Sequence, residues 1–471
     1  MTRGGDVPYG GDPYNEMVTK YFVQNFGCRA TQADGAALES LLDARGLDSS
    51  ADRAAADLVI LNTCTVTSSA DDDVRQTIRR VHRENPQARI VVTGCYAQRA
   101  PQELAAMPGV AWVVGNSHKT QIADLVTLAP ASGPPPGPDP SEAGSAGQKA
   151  RPTAPYHGNI LIGDIFAQHA FLSAPVEDAA GDRTRPNLKI QDGCNNRCSF
   201  CVIPFVRGRS RSAPAADVIA QVRGLARRYR EVVLSGINLG RWGREPGSKM
   251  RLADLVRLLL RETGIERLRL SSVEPMDFSD DLLGLMADEP RMAKHVHAPL
   301  QSGSDRILRR MHRKYRPRHY ADRVTKARRM MVEAAIGADV MVGFPGESDT
   351  DFEESRQFIA AMPVTYLHVF TYSERPGTRA AEDPGAVPMA VRKERNRVLR
   401  ELGAAKNLEF RQSMVGRTLS AVTLHEPGIA LSGNYLKVEL AAPREPNRMV
   451  DLEVGGLTAA GLFESIHEPV Q

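Results

Sequence analysis

Six cysteines are the residues of this chain best suited to metal chemistry: Cys28, Cys64, Cys95, Cys194, Cys198 and Cys201. The last three crowd into Gly193-Cys194-Asn195-Asn196-Arg197-Cys198-Ser199-Phe200-Cys201, a single loop short enough to wrap one metal centre. A structural zinc needs four ligands, and no fourth Cys or His follows nearby. Three thiolates instead suit a [4Fe–4S] cluster with one iron left open. The other three cysteines are widely separated, yet each stands just after a short apolar run, in Phe26-Gly27-Cys28, Asn62-Thr63-Cys64 and Thr93-Gly94-Cys95. Two readings of them stay open: three ligands converging on one sheet edge, or three buried cysteines that simply pack well.

The elements that must position these loops follow from hydrophobic spacing. Lys20–Phe26, Leu58–Leu61, Ile90–Thr93 and Gly109–Val114 read as strands, with helical patterns at Ala36–Ala44 and Asp72–Arg83. That alternation predicts a doubly wound parallel sheet over 18–128, after a disordered 1–17. Residues 129–186, rich in Pro, Gly and Ser at the start, read as a long linker. Strands are expected near 188–191, 231–236, 266–272, 295–298, 337–343 and 366–370. Helices are expected at 214–229, 251–263, 304–311, 317–335 and 349–361. Together with a basic helical stretch at 388–411 they predict a partial TIM-type (βα)6 barrel over 187–411. The tail, 413–471, has short β-branched runs at Leu419–Thr423, Tyr435–Leu440 and Met449–Val454, the pattern of a small all-β barrel.

Composition excludes some classes. The chain has 471 residues, 42% hydrophobic and 25% charged, with a net charge of +4. Such a balance is unlike a highly charged disordered tail protein. No apolar run is long enough to span a membrane, and the N-terminus lacks the apolar segment of a secretory signal. The expectation is a cytoplasmic protein, where clustered cysteines serve metals or catalysis rather than disulfides.

The cysteine loop resembles the cluster motif of the radical-SAM superfamily, Cys-x3-Cys-x2-Cys with an aromatic before the third Cys. The resemblance implies an open iron that chelates S-adenosylmethionine (SAM) and, on reduction, gives a deoxyadenosyl radical. Further segments resemble that superfamily in barrel order: Leu234-Ser235-Gly236-Ile237-Asn238, Ser271-Ser272-Val273-Glu274-Pro275, His297-Ala298-Pro299-Leu300-Gln301-Ser302-Gly303 and Val342-Gly343-Phe344-Pro345-Gly346-Glu347. By this resemblance Gly236, Asn238, Ser271, Glu274, Gln301, Gly343 and Gly346 would line the SAM site.

The N-terminal cysteine segments narrow the resemblance to the methylthiotransferases, together with Arg207-Gly208, Tyr372-Ser373-Glu374-Arg375-Pro376-Gly377-Thr378 and the TRAM-like tail. That resemblance implies that Cys28, Cys64 and Cys95 hold a second [4Fe–4S] cluster used in sulfur insertion. Asn62-Thr63-Cys64-Thr65-Val66-Thr67 and Ser432-Gly433-Asn434-Tyr435-Leu436-Lys437-Val438 look most like the MtaB group. Its members convert N6-threonylcarbamoyladenosine-37 of tRNA to the 2-methylthio derivative. The partners implied are the tRNA anticodon loop, an electron donor such as flavodoxin or ferredoxin, and a sulfur source of unstated identity. Relatives acting on isopentenyladenosine or a ribosomal-protein aspartate are the alternatives, as is a non-catalytic iron–sulfur RNA-binding or redox protein. One departure is Thr31, where the family usually has Asn three positions after the first Cys.

The tail carries four Lys or Arg against seven Asp or Glu, an unexpected balance for a nucleic-acid-binding barrel. Residues 306–329 instead hold eleven Lys or Arg and one acid, and 205–230 hold seven Arg and one Asp. The first run, interleaved with His312, Tyr315, His319 and Tyr320, is expected to contact phosphates.

Overall fold

The structure is a computed structural model that describes residues 18–128, 158–168, 171 and 184–466. The expected disordered 1–17 and most of the linker lie outside the described residues.

The N-terminal unit is a six-stranded parallel sheet. Its strands are β1 (Lys20–Asn25), β2 (Asp48–Ser49), β3 (Leu58–Thr63), β4 (Arg89–Gly94), β5 (Val110–Gly115) and β6 (Asn159–Leu161), in the order β2-β1-β3-β4-β5-β6. Every residue of β3 is buried, the continuous burial that a parallel strand covered on both faces requires. Helices α1 (Arg29–Asp43) and α2 (Ser68–Glu84) follow β1 and β3, and the short helix α3 (Cys95–Arg99) follows β4. The linker boundary needs correction at β6, which pairs in parallel with Trp112–Val114 and so belongs to this sheet. Three residues are too few to show a period, and only the neighbouring strand reveals them.

Six parallel strands build the central unit: β7 (Asn187–Asp192), β9 (Glu231–Gly236), β10 (Arg267–Leu270), β11 (His295–His297), β12 (Ala335–Val342) and β13 (Tyr366–Thr371). A two-residue strand, β8 (Arg211–Ser212), pairs antiparallel with β7. The hydrogen-bonded groups β10-β9-β7-β8 and β11-β12-β13 are joined by one parallel bridge, Leu268 to Met292. The result is the expected partial (βα)6 barrel. Helix 317–335 is shorter than its pattern, ending at Met330 before a turn into β12. The long helix Met389–Gln412 lies along β13, where Asn396 Nδ2 donates to Val369 O at 3.1 Å.

The tail closes into a five-stranded barrel of β14 (Thr418–Thr423), β15 (Ile429–Ser432), β16 (Lys437–Glu439), β17 (Met449–Leu457) and β18 (Leu462–Glu464). Tyr435, expected in a strand, sits instead in the β15–β16 turn at φ +67°. Its ring stacks on His295 at 4.6 Å. Arg269 of β10 donates to the carbonyls of Ser432 and Gly433, so this turn docks under the N-terminal ends of the central strands. No described helix is long and apolar enough to cross a membrane.

Candidate metal centres

Cys28, Cys64 and Cys95 follow β1, β3 and β4, three adjacent strands whose C-terminal ends share one edge. Cys28 is the residue before α1 and Cys95 the first residue of α3. Gly27, at φ +87°, is what lets the loops meet: a Cβ there would lie 2.5 Å from Cys64 Cβ. Burial and the neighbouring Cys95 and Cys28 push the Cys64 thiol up to about 12. Three crowded thiols repel one another as thiolates, and a bound cationic centre relieves that repulsion by displacing their protons.

Cys194, Cys198 and Cys201 lie on the loop after β7, the second triad. Asn196 N donates to Cys194 Sγ at 3.4 Å, and Asn238 Nδ2 lies 3.7 Å from the same sulfur. Arg313 Nη1 donates to Cys198 Sγ at 3.2 Å. Burial, then Cys198, pushes the Cys201 thiol up to about 12.

The two triads are close neighbours. Helix Ile203–Arg207 starts just after Cys201, and Val202 and Val206 pack against Cys95. Arg207, fully buried, donates to Cys95 Sγ at 3.3 Å and to Asp34 and Asp192 at 3.0 Å each. Asp34 also receives Lys119 and Lys189. Although burial opposes ionisation, these cations hold the Asp34 carboxyl well below the usual carboxylate range. Thr31 Oγ1 lies 3.5 Å from both Cys28 Sγ and Arg207 Nη2, so its hydroxyl bridges the cysteine and the guanidinium.

The expected SAM residues divide into two groups. Gly236 ends β9, and its missing side chain makes room for Gln191, whose Oε1 accepts from Asn238 N at 2.6 Å. Buried Asn238 Oδ1 and Ser271 Oγ have no partner, and they stand on neighbouring strand ends beside the second triad. Glu274 pairs with Arg313, the residue that holds Cys198. These orphaned acceptors and the thiol set fit a cluster-bound ligand with amino and hydroxyl groups. Gln301, Gly343 and Gly346 lie farther round the barrel. Gln301 has a left-handed φ of +67°. A Cβ on Gly343 or Gly346 would lie 2.3 Å from Arg392 Cγ or Arg310 Nη1. Protein side chains, rather than open space for a ligand, therefore occupy the room those two glycines leave.

Other residues carry no local sequence signal. Asn116 reaches Cys95 Sγ at 3.7 Å, and Arg313 reaches Cys198 from a different strand–helix unit. Much of the basic run 306–329 is engaged in ion pairs. Arg306 pairs with Asp351, Arg309 and Arg316 with Asp305, Arg310 with Asp383, and Arg323 and Lys326 with Asp280. Lys314, Arg318 and Arg329 stay exposed beside these pairs.

The model of the Uncharacterized protein family UPF0004 matches residues 20–115, and that of the Radical SAM superfamily matches 188–359. The threonylcarbamoyladenosine tRNA methylthiotransferase MtaB of Aquifex aeolicus is 35% identical, over 92% of this chain and 99% of its own. Its counterpart in Bacillus subtilis is 37% identical, over 80% and 79%. The chain belongs to the radical-SAM methylthiotransferase family. A tRNA-2-methylthio-N(6)-dimethylallyladenosine synthase of Mycobacterium sp. is also similar, 34% identical over 85% of this chain and 75% of its own. Among solved structures, the radical SAM methyltransferase TsrM of Kitasatospora setae aligns with a TM-score of 0.52 and 14% identity, covering 78% of this chain and 77% of its own. That likeness confirms a sheet domain joined to a partial barrel. As a methylthiotransferase the protein uses SAM and [4Fe–4S] clusters, and its six cysteines fall into the two triads described above.

Proposed function

We propose that this methylthiotransferase places a methylthio group on C2 of N6-threonylcarbamoyladenosine-37 in tRNA. The observation that carries this reading is the packing of the two triads across Val202, Val206 and Arg207, which sets both centres beside one another. When bound, the clusters and SAM supply radical and sulfur-transfer chemistry. The chain's own residues do the positioning. Cys194, Cys198 and Cys201 would hold the barrel cluster, and Cys28, Cys64 and Cys95 the other. Asn238 and Ser271 offer unpartnered oxygens to SAM. Gly236, Glu274, Gln301, Gly343 and Gly346 shape the surrounding strand ends.

The mouth of the barrel suits a nucleotide. Phe370 and Val66 are exposed there, and a groove of about 330 Å³ is lined by Thr67, Phe370, Lys393, Asn396 and Arg400. An exposed ring beside cations is a stacking platform flanked by phosphate contacts. A flavodoxin or ferredoxin would donate the electron, and the cytoplasm is the compartment where these partners meet. The test is mass spectrometry of tRNA nucleosides from a strain lacking the gene. Loss of methylthio-threonylcarbamoyladenosine supports the reading; loss of methylthio-isopentenyladenosine instead moves the enzyme to the other substrate.

A further inference from the structure

Val296, Ile336, Ala338, Val340, Val342 and Val369 belong to the core between strands and outer helices. Side chains alternate along a strand, so His297, Asp339, His368 and Phe370 face the barrel interior. There, β11, β12 and β13 bring three polar groups together. His368 Nδ1 lies 3.1 Å and His297 Nε2 3.3 Å from the same atom, Asp339 Oδ1. Ser272 Oγ fixes the other side of the His297 ring at 2.7 Å from Nδ1. His297 is buried, whereas the His368 side chain is 51% exposed and forms the open end of the cluster.

We propose that His368, backed by Asp339 and His297, is a carboxylate subsite that reads the amino-acid end of the modified base. The proposal rests on the threonylcarbamoyladenosine reading above. That substituent ends in a free carboxylate, and a dimethylallyl group has no charged or polar atom to match it. With Nδ1 committed to Asp339, His368 has Nε2 left for a ligand. An imidazolium donates from both ring nitrogens, so one at this position would give Nδ1 to Asp339 and Nε2 to an anion. Burial opposes ionisation of Asp339, but contacts from His297 and His368 hold its carboxyl well below the usual range, so the backing charge stays in place.

Distance along the strand matches the ligand. Phe370 is the next inward residue of β13, about 7 Å nearer the mouth at the usual strand rise, and it is 48% exposed. A base lying on Phe370 would extend its ureido-linked amino acid down to His368. The same three side chains lie close enough to take a metal ion instead, and the metal count below separates that occupant from an anion.

The test uses the full-length, anaerobically cluster-loaded enzyme and two anticodon stem-loop RNAs. One carries threonylcarbamoyladenosine, the other the same base with its carboxylate converted to the primary amide. The wild-type enzyme should bind the acid about tenfold more tightly than the amide, as expected for a charge-assisted hydrogen bond. His368→Gln should bind both alike while keeping its iron. Equal binding by the wild type, or a preference that survives in His368→Gln, overturns the subsite. One zinc per chain that disappears in His368→Gln overturns it too, in favour of a metal site. If the wild type methylthiolates only dimethylallyladenosine RNA, the substrate reading itself fails, a result separate from the other three.

Discussion

Arg207 Nε donates to Cys95 Sγ across 3.3 Å, joining the helix behind one cysteine loop to the last cysteine of the other. The remaining guanidinium nitrogens reach Asp34 of α1 and Asp192 at the end of β7. One buried side chain therefore ties together the sheet unit, the barrel and the Cys95 thiol. Its charge is balanced by two carboxylates, which offsets the cost of taking a guanidinium out of water.

Arg207→Ala should remove that junction. Asp34 keeps Lys119 and Lys189, and Asp192 keeps Lys189 and Arg211, so the loss should sit near the low end of a broken buried pair, about 3 kcal/mol. Thermal unfolding should shift down, and iron should be lost from the Cys28–Cys64–Cys95 centre first. Arg207→Lys keeps the charge but cannot fork to two carboxylates and a sulfur, so it should rescue only part of the stability. Equal iron content in all three proteins would show that Arg207 does not support the centre.

RNA binding should depend on the mouth of the barrel more than on the 306–329 run. Lys393 and Arg400 line the groove beside Phe370, and among the described residues neither is joined to an acid by an ion pair. Neutralising both should reduce the log–log salt slope of tRNA binding by about 1.5 units. Neutralising Arg309 and Arg316, which already share Asp305, should change it less, because each must release a carboxylate to meet a phosphate. The reverse ranking in a salt titration would return the phosphate contacts to the run.

That contrast shows what the sequence could carry. The strands behind Cys28, Cys64, Cys95 and Cys194 were legible because each is a short apolar run ending in a turn, and the cysteines mark those ends themselves. Many ion pairs of 306–329 were not, because Asp351, Asp383 and Asp280 sit on other helices or loops, while only Asp305 and Asp322 are local. The inward cluster of His297, Asp339 and His368 was equally hidden. The three lie on different strands, and only the parallel register, which sets His368 opposite Asp339 and His297 opposite Gly337 one inward position below, brings them together. Strands β15 and β18 were missed because, at four and three residues, they are too short to show alternation.

Acid should loosen the docking of the tail barrel. Glu231, fully buried, pairs with Arg269, and Arg269 holds the Ser432–Gly433 turn. Burial resists ionisation of Glu231, yet Arg269, Arg185 and Arg267 bring its carboxyl down to about 2. A folded value below the unfolded one means this contribution is complete above the unfolded carboxylate range. It fades as the pH falls from about 4.5 towards about 2. Acid unfolding followed by near-UV signals should therefore lose stability across that window. Glu231→Gln should be less stable at neutral pH and flatter below about 4.5; an unchanged acid limb would detach Glu231 from the effect.

The two triads should separate by substitution. Each gathers three thiols with no fourth cysteine in its loop, so a [4Fe–4S] cluster held by either triad would keep one iron open to an outside ligand. The second triad has Asn238 and Ser271 oxygens waiting beside it, and the first has none of these. SAM cleavage should therefore follow the second triad alone. Replacing Cys194, Cys198 and Cys201 with Ala should cut iron from about eight to about four per chain and abolish reductive cleavage of SAM to deoxyadenosine. Replacing Cys28, Cys64 and Cys95 should cut iron equally but leave that cleavage running, while no methylthiolated tRNA forms. The half-loss of iron in each protein guards against a general folding defect, since a collapsed chain would lose both centres. If the protein without Cys28, Cys64 and Cys95 still makes methylthiolated tRNA, the division of labour between the two loops is wrong.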